Sequence, residues 1–399
     1  MTAAPSGALD GLRVVDVGTL LAGPMIATYL GDLGADVVKV EHPRGDALRT
    51  FGWQKDGVGI WWKTASRNKR AVTLNLSRGV GQELMLELAA DADVLIESFR
   101  PGTMERWNLG WERLEEINPG LVMVRTSGFG QDGPYSRRPG FGTLAEAMSG
   151  AAWVLGERDG PPIVPPFALA DGIAALFGGI ATLAALRHRD ATGQGQVIDV
   201  SLLEPLFAFI GPQVTAYDQL GVVEQRNGSR AYFSAPRNVY RTSDDRWVAT
   251  STSAQSAADR LFAAIGRGDL VDAGRFASTQ NRNEHADELD EIVASWVAQH
   301  TLDDVLRIWD EAGVAGAPIY SVEDIVADPQ VRARDMLVEV DDEELGRIRM
   351  HNVFPRLRAT PGAIRHAGRP IGADNREVFV ERLGHTEEEL KAWCRDGVM

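Results

Sequence analysis

The sequence has few of the residues that build metal centres, disulfides and export signals. Cys394 is the only cysteine in 399 residues, which excludes an intrachain disulfide, a zinc ribbon and an iron–sulfur cluster and fits a reducing cytoplasm. The N-terminus has no basic segment followed by an apolar stretch, so we expect no signal peptide. Histidine is sparse, with seven residues, and the spacings of zinc proteases, Walker loops and nucleophile elbows are absent. We therefore expect no metal and no tightly bound cofactor.

Positive charge is also scarce, because 41 basic residues stand against 56 acidic ones and the formal charge is −15. Such a balance argues against a protein that coats nucleic acid or an anionic membrane. The longest uncharged apolar stretch, residues 172–186, is shorter than the roughly 20 residues of a membrane span. We predict that it forms a buried helix.

What the first 130 residues do contain is an alternation of short β-branched runs and helical patterns. This alternation predicts an α/β fold in which helices cover both faces of a parallel sheet. The predicted strands are residues 12–17, 36–41, 71–76, 93–97 and 121–126, and the predicted helices are residues 23–33 and 79–91.

The composition and the predicted secondary structure change twice after this region. Residues 145–217 are helical and rich in alanine and glycine. From residue 227 a predicted hairpin over 238–250, turning at Asp244-Asp245, is followed by helical stretches to Trp309. Residues 227–325 are therefore predicted to be a separate α+β domain.

Candidate binding residues lie in loops after the predicted strands. The first turn, Gly18-Thr-Leu-Leu-Ala-Gly23, lacks the middle glycine of a dinucleotide fingerprint, which argues against NAD binding in that mode. Basic residues recur in the following loops, and as a set they suit a polyphosphate at the carboxyl edge of the sheet, although each alone is explained by a solvated surface.

Asp171 is the most unusual acid, because apolar residues flank it at the predicted first turn of a helix. Helix amides would keep such a carboxylate ionised, and an ionised carboxylate in a cleft is a competent nucleophile toward an activated acyl group. The alternative is a plain helix N-cap. The residues alone leave both interpretations open.

Several stretches, taken in order, resemble the class III CoA-transferases (the CaiB/BaiF family), which include formyl-CoA transferases and α-methylacyl-CoA racemases. The resemblance covers nearly the whole chain. It is carried by Leu9–Val17, Gly31–Pro43, Arg67–Leu76, Glu97–Gly102, Ser127–Pro134, Leu169–Asp171, Gly195–Glu204, Ala312–Pro318 and Ala327–Gln330.

The resemblance implies a Rossmann-like large domain, with a parallel sheet built from both chain ends, and a smaller inserted α+β domain. The expected divisions are residues 1–226 and 326–399 for the large domain and 227–325 for the small one. It also implies an interlocked homodimer, acyl-CoA and carboxylic acid substrates, and Asp171 as the residue that carries an aspartyl-CoA thioester. The CoA contacts that it implies are Val17, Thr19, Leu20, Ala22, Lys39, Arg44, Arg70, Arg100 and Arg138.

Two departures bear on the activity. Racemase members have a histidine where this chain has Phe141, and a racemase without a second general base lacks half of its chemistry. Residues 228–236 lack the run of glycines that covers the intermediate in formyl-CoA transferases. We therefore favour a CoA-transferase, with an acyl-CoA racemase or epimerase, or a non-catalytic acyl-CoA-binding protein, as the alternatives.

Overall fold

A computed structural model describes residues 7–272 and 274–399 of the chain. The chain divides into two compact units. The first comprises the residues up to Ala151, Val164–Pro212 and Arg332–Met399, and the second comprises Ala152–Ile163 and Gln213–Val331.

The strands, in chain order, are β1 (Arg13–Asp16), β2 (Asp36–Glu41), β3 (Gln54–Lys55), β4 (Val58–Gly59), β5 (Lys69–Thr73), β6 (Val94–Glu97), β7 (Val122–Ser127), β8 (Gln196–Ser201), β9 (Arg237–Arg241), β10 (Trp247–Ser251), β11 (Gly316–Pro318), β12 (Leu337–Asp342) and β13 (Gly346–His351). The helices are α1 (Ala22–Asp32), α2 (Ile60–Ala65), α3 (Gly79–Ala90), α4 (Thr103–Arg106), α5 (Trp111–Ile117), α6 (Gly142–Met148), α7 (Ala151–Val154), α8 (Leu169–Thr192), α9 (Leu203–Phe209), α10 (Gln213–Leu220), α11 (Gln255–Ala264), α12 (Thr279–Glu284), α13 (Ala286–Val297), α14 (Leu302–Glu311), α15 (Val322–Ala327), α16 (Pro329–Ala333) and α17 (Glu387–Arg395). Short 3₁₀ turns occupy Ala47–Thr50, Gly268–Leu270 and Gly274–Phe276, and a π-helical segment occupies Arg376–Arg382.

The first unit is built on a six-stranded sheet of order β5-β2-β1-β6-β7-β8, in which every pairing is parallel. Counted along the sheet strands alone, this is the 3-2-1-4-5-6 order of a Rossmann-type fold. The strand order reverses between β1 and β6, so the loops that follow these two strands diverge at the carboxyl edge. Open sheets of this kind bind their ligands in the crevice at that point.

Apolar cores cover both faces of this sheet. Ile26 of α1 and Ala174 of α8 pack with Val14 and Val124 on one face, and Met85 of α3 packs with Val15 on the other. Burial on both faces is the reason that the strands read as continuous β-branched runs, and it confirms the predicted α/β class with a parallel sheet.

The C-terminal segment belongs to the first unit, but it adds no strand to the parallel sheet. All six strands of that sheet lie within Arg13–Ser201, so the expectation of a sheet built from both chain ends is wrong. Side chains of the C-terminal segment cap the open edge of β5 instead. Asp374 accepts the N–H of Ala71 at 2.7 Å, and Asn375 accepts the N–H of Thr73 at 2.8 Å. An edge strand that is satisfied in this way needs no further strand.

Helix α8 is longer than the predicted apolar stretch and only partly buried. Ala174, Ala175 and Gly178 face the core, whereas Ile180 is 67% exposed and Leu176 is 53% exposed. The prediction of a buried helix is therefore wrong for one face. By length and composition α8 could also cross a membrane, a test that a core helix of a globular protein meets equally well.

In the second unit, β9 and β10 form the predicted hairpin, with Asp245 at positive φ in its turn. Strand β11 pairs antiparallel with β10 on its other edge. Val248 of β10 packs with Val293 of α13 and Trp309 of α14, so the three strands and the following helices share one core.

Candidate active site

A cavity of about 200 Å³ opens at the carboxyl edge of the sheet in the first unit. It lies where the strand order reverses, between the turn after β1 and the loop after β6. Its lining residues are Thr19–Ala22, Ser98–Pro101, Thr126–Gly128, Ser136, Arg138–Phe141, Asp171 and Leu202. The sequence-predicted residues Thr19, Leu20, Ala22, Arg100, Arg138 and Asp171 are thus brought together in one place.

The turn after β1 is held by hydrogen bonds from three directions. Asp16 accepts the N–H of Gly18 at 3.0 Å, Ser98 accepts the N–H of Thr19 at 2.8 Å, and Asp46 accepts the N–H of Leu20 at 3.2 Å. Leu20 has a φ of 61°, a left-handed conformation that is strained for a leucine. These contacts fix an unusual backbone at the wall of the cavity.

Lys39, a predicted CoA contact, lies beneath this turn and not in the cavity. Its side chain is 1% exposed, its Nζ donates to the carbonyl of Gly18, and it lies 3.4 Å from Asp46 and 3.6 Å from Asp16. Burial alone would lower the pKa of Lys39, but the carboxylates of Asp16 and Asp46 outweigh it and raise the pKa above its usual value. The lysine stays charged and supports the turn from below.

The other predicted contacts outside the cavity are Val17, Arg44 and Arg70. Val17 is buried, and Arg44 is exposed on the loop after β2. Arg70 pairs with Asp36, and its Nε lies 2.6 Å from Glu377. Arg70 is therefore engaged in protein ion pairs, and its guanidinium is not free for a phosphate in this structure.

Arg100 and Arg138 are the basic side chains that line the cavity. Both residues are exposed, and within the described residues neither forms an ion pair with a carboxylate. The guanidinium of Arg138 stacks over the ring of Tyr135, 3.8 Å from its centroid. Two cations that have no carboxylate partner among the described residues suit an anionic ligand.

Asp171 lies in the first turn of α8, as predicted, but not as its N-cap. The N-cap is Ala168, and no side chain of that residue bonds the helix, so the interpretation of Asp171 as a plain N-cap is wrong. Burial raises the pKa of Asp171 to about 6, and the charge of Glu146 adds to the rise. The carboxylate is thus ionised at neutral pH but more basic than an ordinary aspartate.

Gly142, the first residue of α6, provides the room for this carboxylate. A Cβ on Gly142 would lie 2.4 Å from Oδ2 of Asp171, closer than any side chain tolerates. Any other residue would therefore displace the carboxylate from its place at the cavity. Phe141, which precedes it, lines the cavity and is 59% exposed.

Glu146 is a residue of this site that the sequence analysis missed. It lies one helical turn after Gly142, its side chain is 2% exposed, and its Oε1 accepts the N–H of Ala170 at 3.3 Å. The only available signal was its spacing of four residues from Gly142, which places both on one face of α6. Nothing in the local sequence indicates that this glutamate is buried.

Comparison with known proteins identifies the family of the chain. The sequence profile of CoA-transferase family III matches residues 9–375. The chain is 40% identical to the succinyl-CoA–D-citramalate CoA-transferase of Chloroflexus aurantiacus, over 97% of this chain and 96% of that protein. It is 43% identical to the beta subunit of the succinyl-CoA–L-malate CoA-transferase of the same organism, over 96% of each chain.

A solved structure has the same fold. The crystal structure of a CaiB/BaiF family protein from Brucella suis superposes with a TM-score of 0.83 at 31% identity, covering 94% of this chain and 99% of that one. Among the residues that the structure describes, no three histidine, cysteine or acidic side chains lie together as a metal site would require. The chain belongs to CoA-transferase family III and is an enzyme of the CoA-transferase class.

Proposed function

We propose that this enzyme moves CoA from succinyl-CoA to a dicarboxylic acid, with Asp171 as the nucleophile and as the carrier of CoA. The observation that carries the proposal is the position of Asp171, a partly buried and basic carboxylate that faces a cavity lined by Arg100 and Arg138. A carboxylate of this kind is ionised at neutral pH and is a stronger nucleophile than a fully solvated one.

The chemistry balances without a cofactor. The carboxylate of Asp171 attacks the thioester carbonyl, a C–O bond forms, and the C–S bond breaks to release CoA as its thiolate. The thiolate then attacks the carbonyl carbon of Asp171, which breaks the anhydride C–O bond and releases succinate. The acceptor acid attacks the resulting aspartyl-CoA thioester and repeats the two steps in reverse, so that Asp171 is regenerated.

The turn after β1 and the start of α1 form the proposed binding site for the CoA phosphates. No side chain caps the first amides of α1, and the N-cap residue Leu21 lines the cavity. Free helix amides and the helix dipole favour a phosphate at this position. Arg138 supplies positive charge for these phosphates, whereas Lys39 contributes indirectly by holding the turn.

Two relatives support the proposed substrate class, because both are named for succinyl-CoA and a hydroxy-dicarboxylic acid. A second carboxylate on the acid needs a cation in the cavity. Once one arginine is used by CoA, the other remains for that group. We therefore propose a four- or five-carbon dicarboxylic acid as the acceptor.

The lining of the cavity argues against an acyl-CoA racemase. Proton exchange at the α-carbon needs two general bases, and the described residues that line the cavity include Asp171 but no histidine. Phe141 occupies the position at which the second base is expected. An apolar ring at this place cannot accept a proton.

The exposed apolar face of the first unit is the proposed contact of a second copy of the chain. Leu176, Phe177 and Ile180 of α8 are exposed together, and Phe177 stacks edge-on against Phe209 at 5.9 Å. A group of exposed large apolar side chains on one helix marks a candidate subunit interface. Ile180→Glu is expected to shift the protein from dimer to monomer in light-scattering chromatography, and an unchanged mass would contradict this assembly.

An exchange assay tests the proposed activity. The enzyme is incubated with succinyl-CoA and, separately, L-malate, D-citramalate or butyrate, and the acyl-CoA products are separated by chromatography. We expect CoA transfer to the dicarboxylic acids and little transfer to butyrate. Asp171→Asn should lower kcat at least about 10³-fold.

Asp190→Asn, at the exposed end of the same helix, is the matched control and should retain full activity. Entry of solvent deuterium at the α-carbon without any acceptor acid would identify a racemase instead. CoA-ester binding with no turnover of any pair would identify a non-catalytic binding protein.

A further inference from the structure

Helix α8 begins without a cap of its own, and another helix supplies one. Ala168, the N-cap residue, offers no side-chain acceptor, so the first N–H groups of α8 need partners from elsewhere. Glu146 of α6 accepts one of them, the N–H of Ala170, at 3.3 Å. This contact ties Glu146 to the residue that immediately precedes Asp171.

The same face of α6 sets the position of the Asp171 carboxylate. Gly142 lies one turn before Glu146, and the space that a Cβ would occupy there is filled by Oδ2 of Asp171. The first turn of α8 therefore contacts α6 at two positions. The Asp171 carboxylate packs against the backbone of Gly142, and the N–H of Ala170 donates to Glu146.

Glu146 is a buried carboxylate without a cation. Its side chain is 2% exposed, and within the described residues no lysine, arginine or histidine is ion-paired with it. Burying a charge without a partner is expensive, and a second carboxylate nearby increases the penalty.

Other charged groups near α8 are already committed to partners of their own. They are Arg125 of β7, bound to Glu97 and Glu105; Asp199 of β8, which accepts the N–H of Gln131; Glu204 of α9, bound to Ser201; and Asp32 of α1, bound to Arg67. Arg100 and Arg138 line the cavity beside Asp171. Among the described residues, Glu146 is the neighbouring charge that raises the basicity of Asp171, and it forms no ion pair of its own.

We propose that Glu146 is a positioning residue that holds the first turn of α8 and, through its charge, favours the covalent forms of Asp171 over the free carboxylate. The proposal rests on the proposed function. When Asp171 is an anhydride or a thioester it is neutral, so the repulsion from Glu146 disappears. When Asp171 is released as a carboxylate, the repulsion returns. Glu146 therefore shifts the equilibrium toward the loaded enzyme.

The same charge directs the second step of the reaction. In the mixed anhydride the thiolate can attack either carbonyl, and it expels the less basic carboxylate more readily. Burial and Glu146 raise the basicity of the Asp171 carboxylate and so make it a poorer leaving group than it would be in water. They therefore favour attack at the carbonyl of Asp171 with expulsion of succinate, which moves the reaction forward.

Glu146→Gln separates the charge from the cap, because the amide oxygen of glutamine can still accept the N–H of Ala170. Wild type and variant are mixed with succinyl-CoA and succinate at a fixed ratio, without an acceptor, and the fraction of chains that carry CoA is measured by intact mass after acid quenching. We expect the ratio of loaded to free enzyme to fall about tenfold in the variant, because the repulsion that disfavours the free carboxylate is lost. The acid limb of the loading rate should move to lower pH.

Two further variants keep the test decisive. Glu146→Leu removes the charge with an apolar side chain and should lower the loaded fraction in the same way if the glutamine variant does not fold. Glu146→Asp restores the charge and should return the acid limb toward that of wild type. Glu83→Gln, on the exposed face of α3, is the matched control and should behave as wild type.

The outcomes distinguish the two proposals. A wild-type enzyme that never carries CoA contradicts the proposed function. A wild-type enzyme that carries CoA, beside a folded glutamine or leucine variant with the same loaded fraction and the same acid limb, contradicts the role of Glu146.

Discussion

Two clusters of charged residues near the cavity differ in how their charges are balanced. Beneath the turn after β1, the acids Asp16 and Asp46 are matched by the buried lysines Lys39 and Lys69, with Lys69 Nζ 2.9 Å from Asp16. At the start of α8, Asp171 and Glu146 are two carboxylates that form no ion pair with any described residue. The paired cluster holds backbone in place, and the unpaired one holds a carboxylate in a reactive state.

The paired cluster supports the backbone, whereas the unpaired cluster contains the carboxylate that reacts. In the paired cluster every charge has an oppositely charged partner and a hydrogen bond. Removing one member would leave another charge buried without compensation, and its full desolvation penalty would then destabilise the fold. In the unpaired cluster the penalty is already present in the native protein. Replacing a support residue should therefore weaken the fold, whereas neutralising the reactive carboxylate should strengthen it.

The largest effect is expected at Lys39. Lys39→Met leaves Asp16 and Asp46 with one cation fewer and should lower the free energy of unfolding by about 3–5 kcal/mol. Urea denaturation followed by circular dichroism measures it. Arg113→Met, which breaks the exposed pair with Glu116, is the control and should change it by less than about 1 kcal/mol. Equal effects at the two sites would erase the distinction between the clusters.

Replacing Asp171 is expected to have the opposite effect and to raise the free energy of unfolding. Its pKa is about 6 in the folded protein and near 4 in the unfolded chain, so the folded protein binds this proton more tightly. Wild type therefore loses stability as the pH rises from about 4 through 6, and the penalty is complete above 6. Asp171→Asn, which has no such proton, should be about 2–3 kcal/mol more stable than wild type at pH 8 and no more stable at pH 4.

Urea denaturation at the two pH values, with Asp190→Asn as the control, provides that measurement. A variant that is less stable than wild type at pH 8 would show that Asp171 is a structural residue like Asp16. A gain of the same size at both pH values would show that the titration of Asp171 is not its source.

A smaller effect, on kcat, is expected at Gly142, where the backbone of α6 contacts the Asp171 carboxylate. Gly142→Ala places a methyl group within 2.4 Å of Oδ2 of Asp171, and it should lower kcat by about 10- to 100-fold because the nucleophile is displaced. Gly79→Ala, at the open start of α3, meets no atom within 4 Å and should leave kcat unchanged. Steady-state kinetics that find the two variants equal would place the carboxylate elsewhere during the reaction.

The smallest effect concerns the cations at the cavity. Arg138→Ala should raise KM for the acyl-CoA about tenfold with little change in kcat, since one charged hydrogen bond to an anion is lost. The neighbouring Arg137 does not line the cavity, so Arg137→Ala is the internal control. If both variants raise KM equally, the effect is one of overall charge and not of a contact.

Sequence reasoning located the strands because burial on both faces leaves a continuous apolar signature. Strand β2 was predicted with its observed bounds, Asp36–Glu41. Strand β5 was predicted at residues 71–76 but lies at Lys69–Thr73, because Lys69 enters the sheet opposite Val37 and is neutralised by Asp16. A lysine in a buried strand contradicts the local pattern, and only its distant partner explains it.

The sequence predicted the residues that line the cavity, but not the buried residues that hold them in place. Asp171 was found because an acid among apolar residues at a helix start is visible in the sequence. Lys39 was assigned to CoA by the family resemblance, but it lies within β2, and its partners Asp16 and Asp46 come from other segments of the chain. Glu146 was missed because its burial arises from the packing of α6 against α8, which the sequence of α6 alone does not reveal.

The most direct test of the role of Asp171 is chemical trapping. The enzyme is incubated with succinyl-CoA and hydroxylamine, digested, and mapped by mass spectrometry, with Asp171→Asn in parallel. Attack of hydroxylamine on the anhydride or thioester should convert Asp171, and no other acid, into its hydroxamate as activity is lost. Loss of activity with Asp171 unmodified, or full activity of Asp171→Asn, would contradict the assignment of Asp171 as the carrier of CoA.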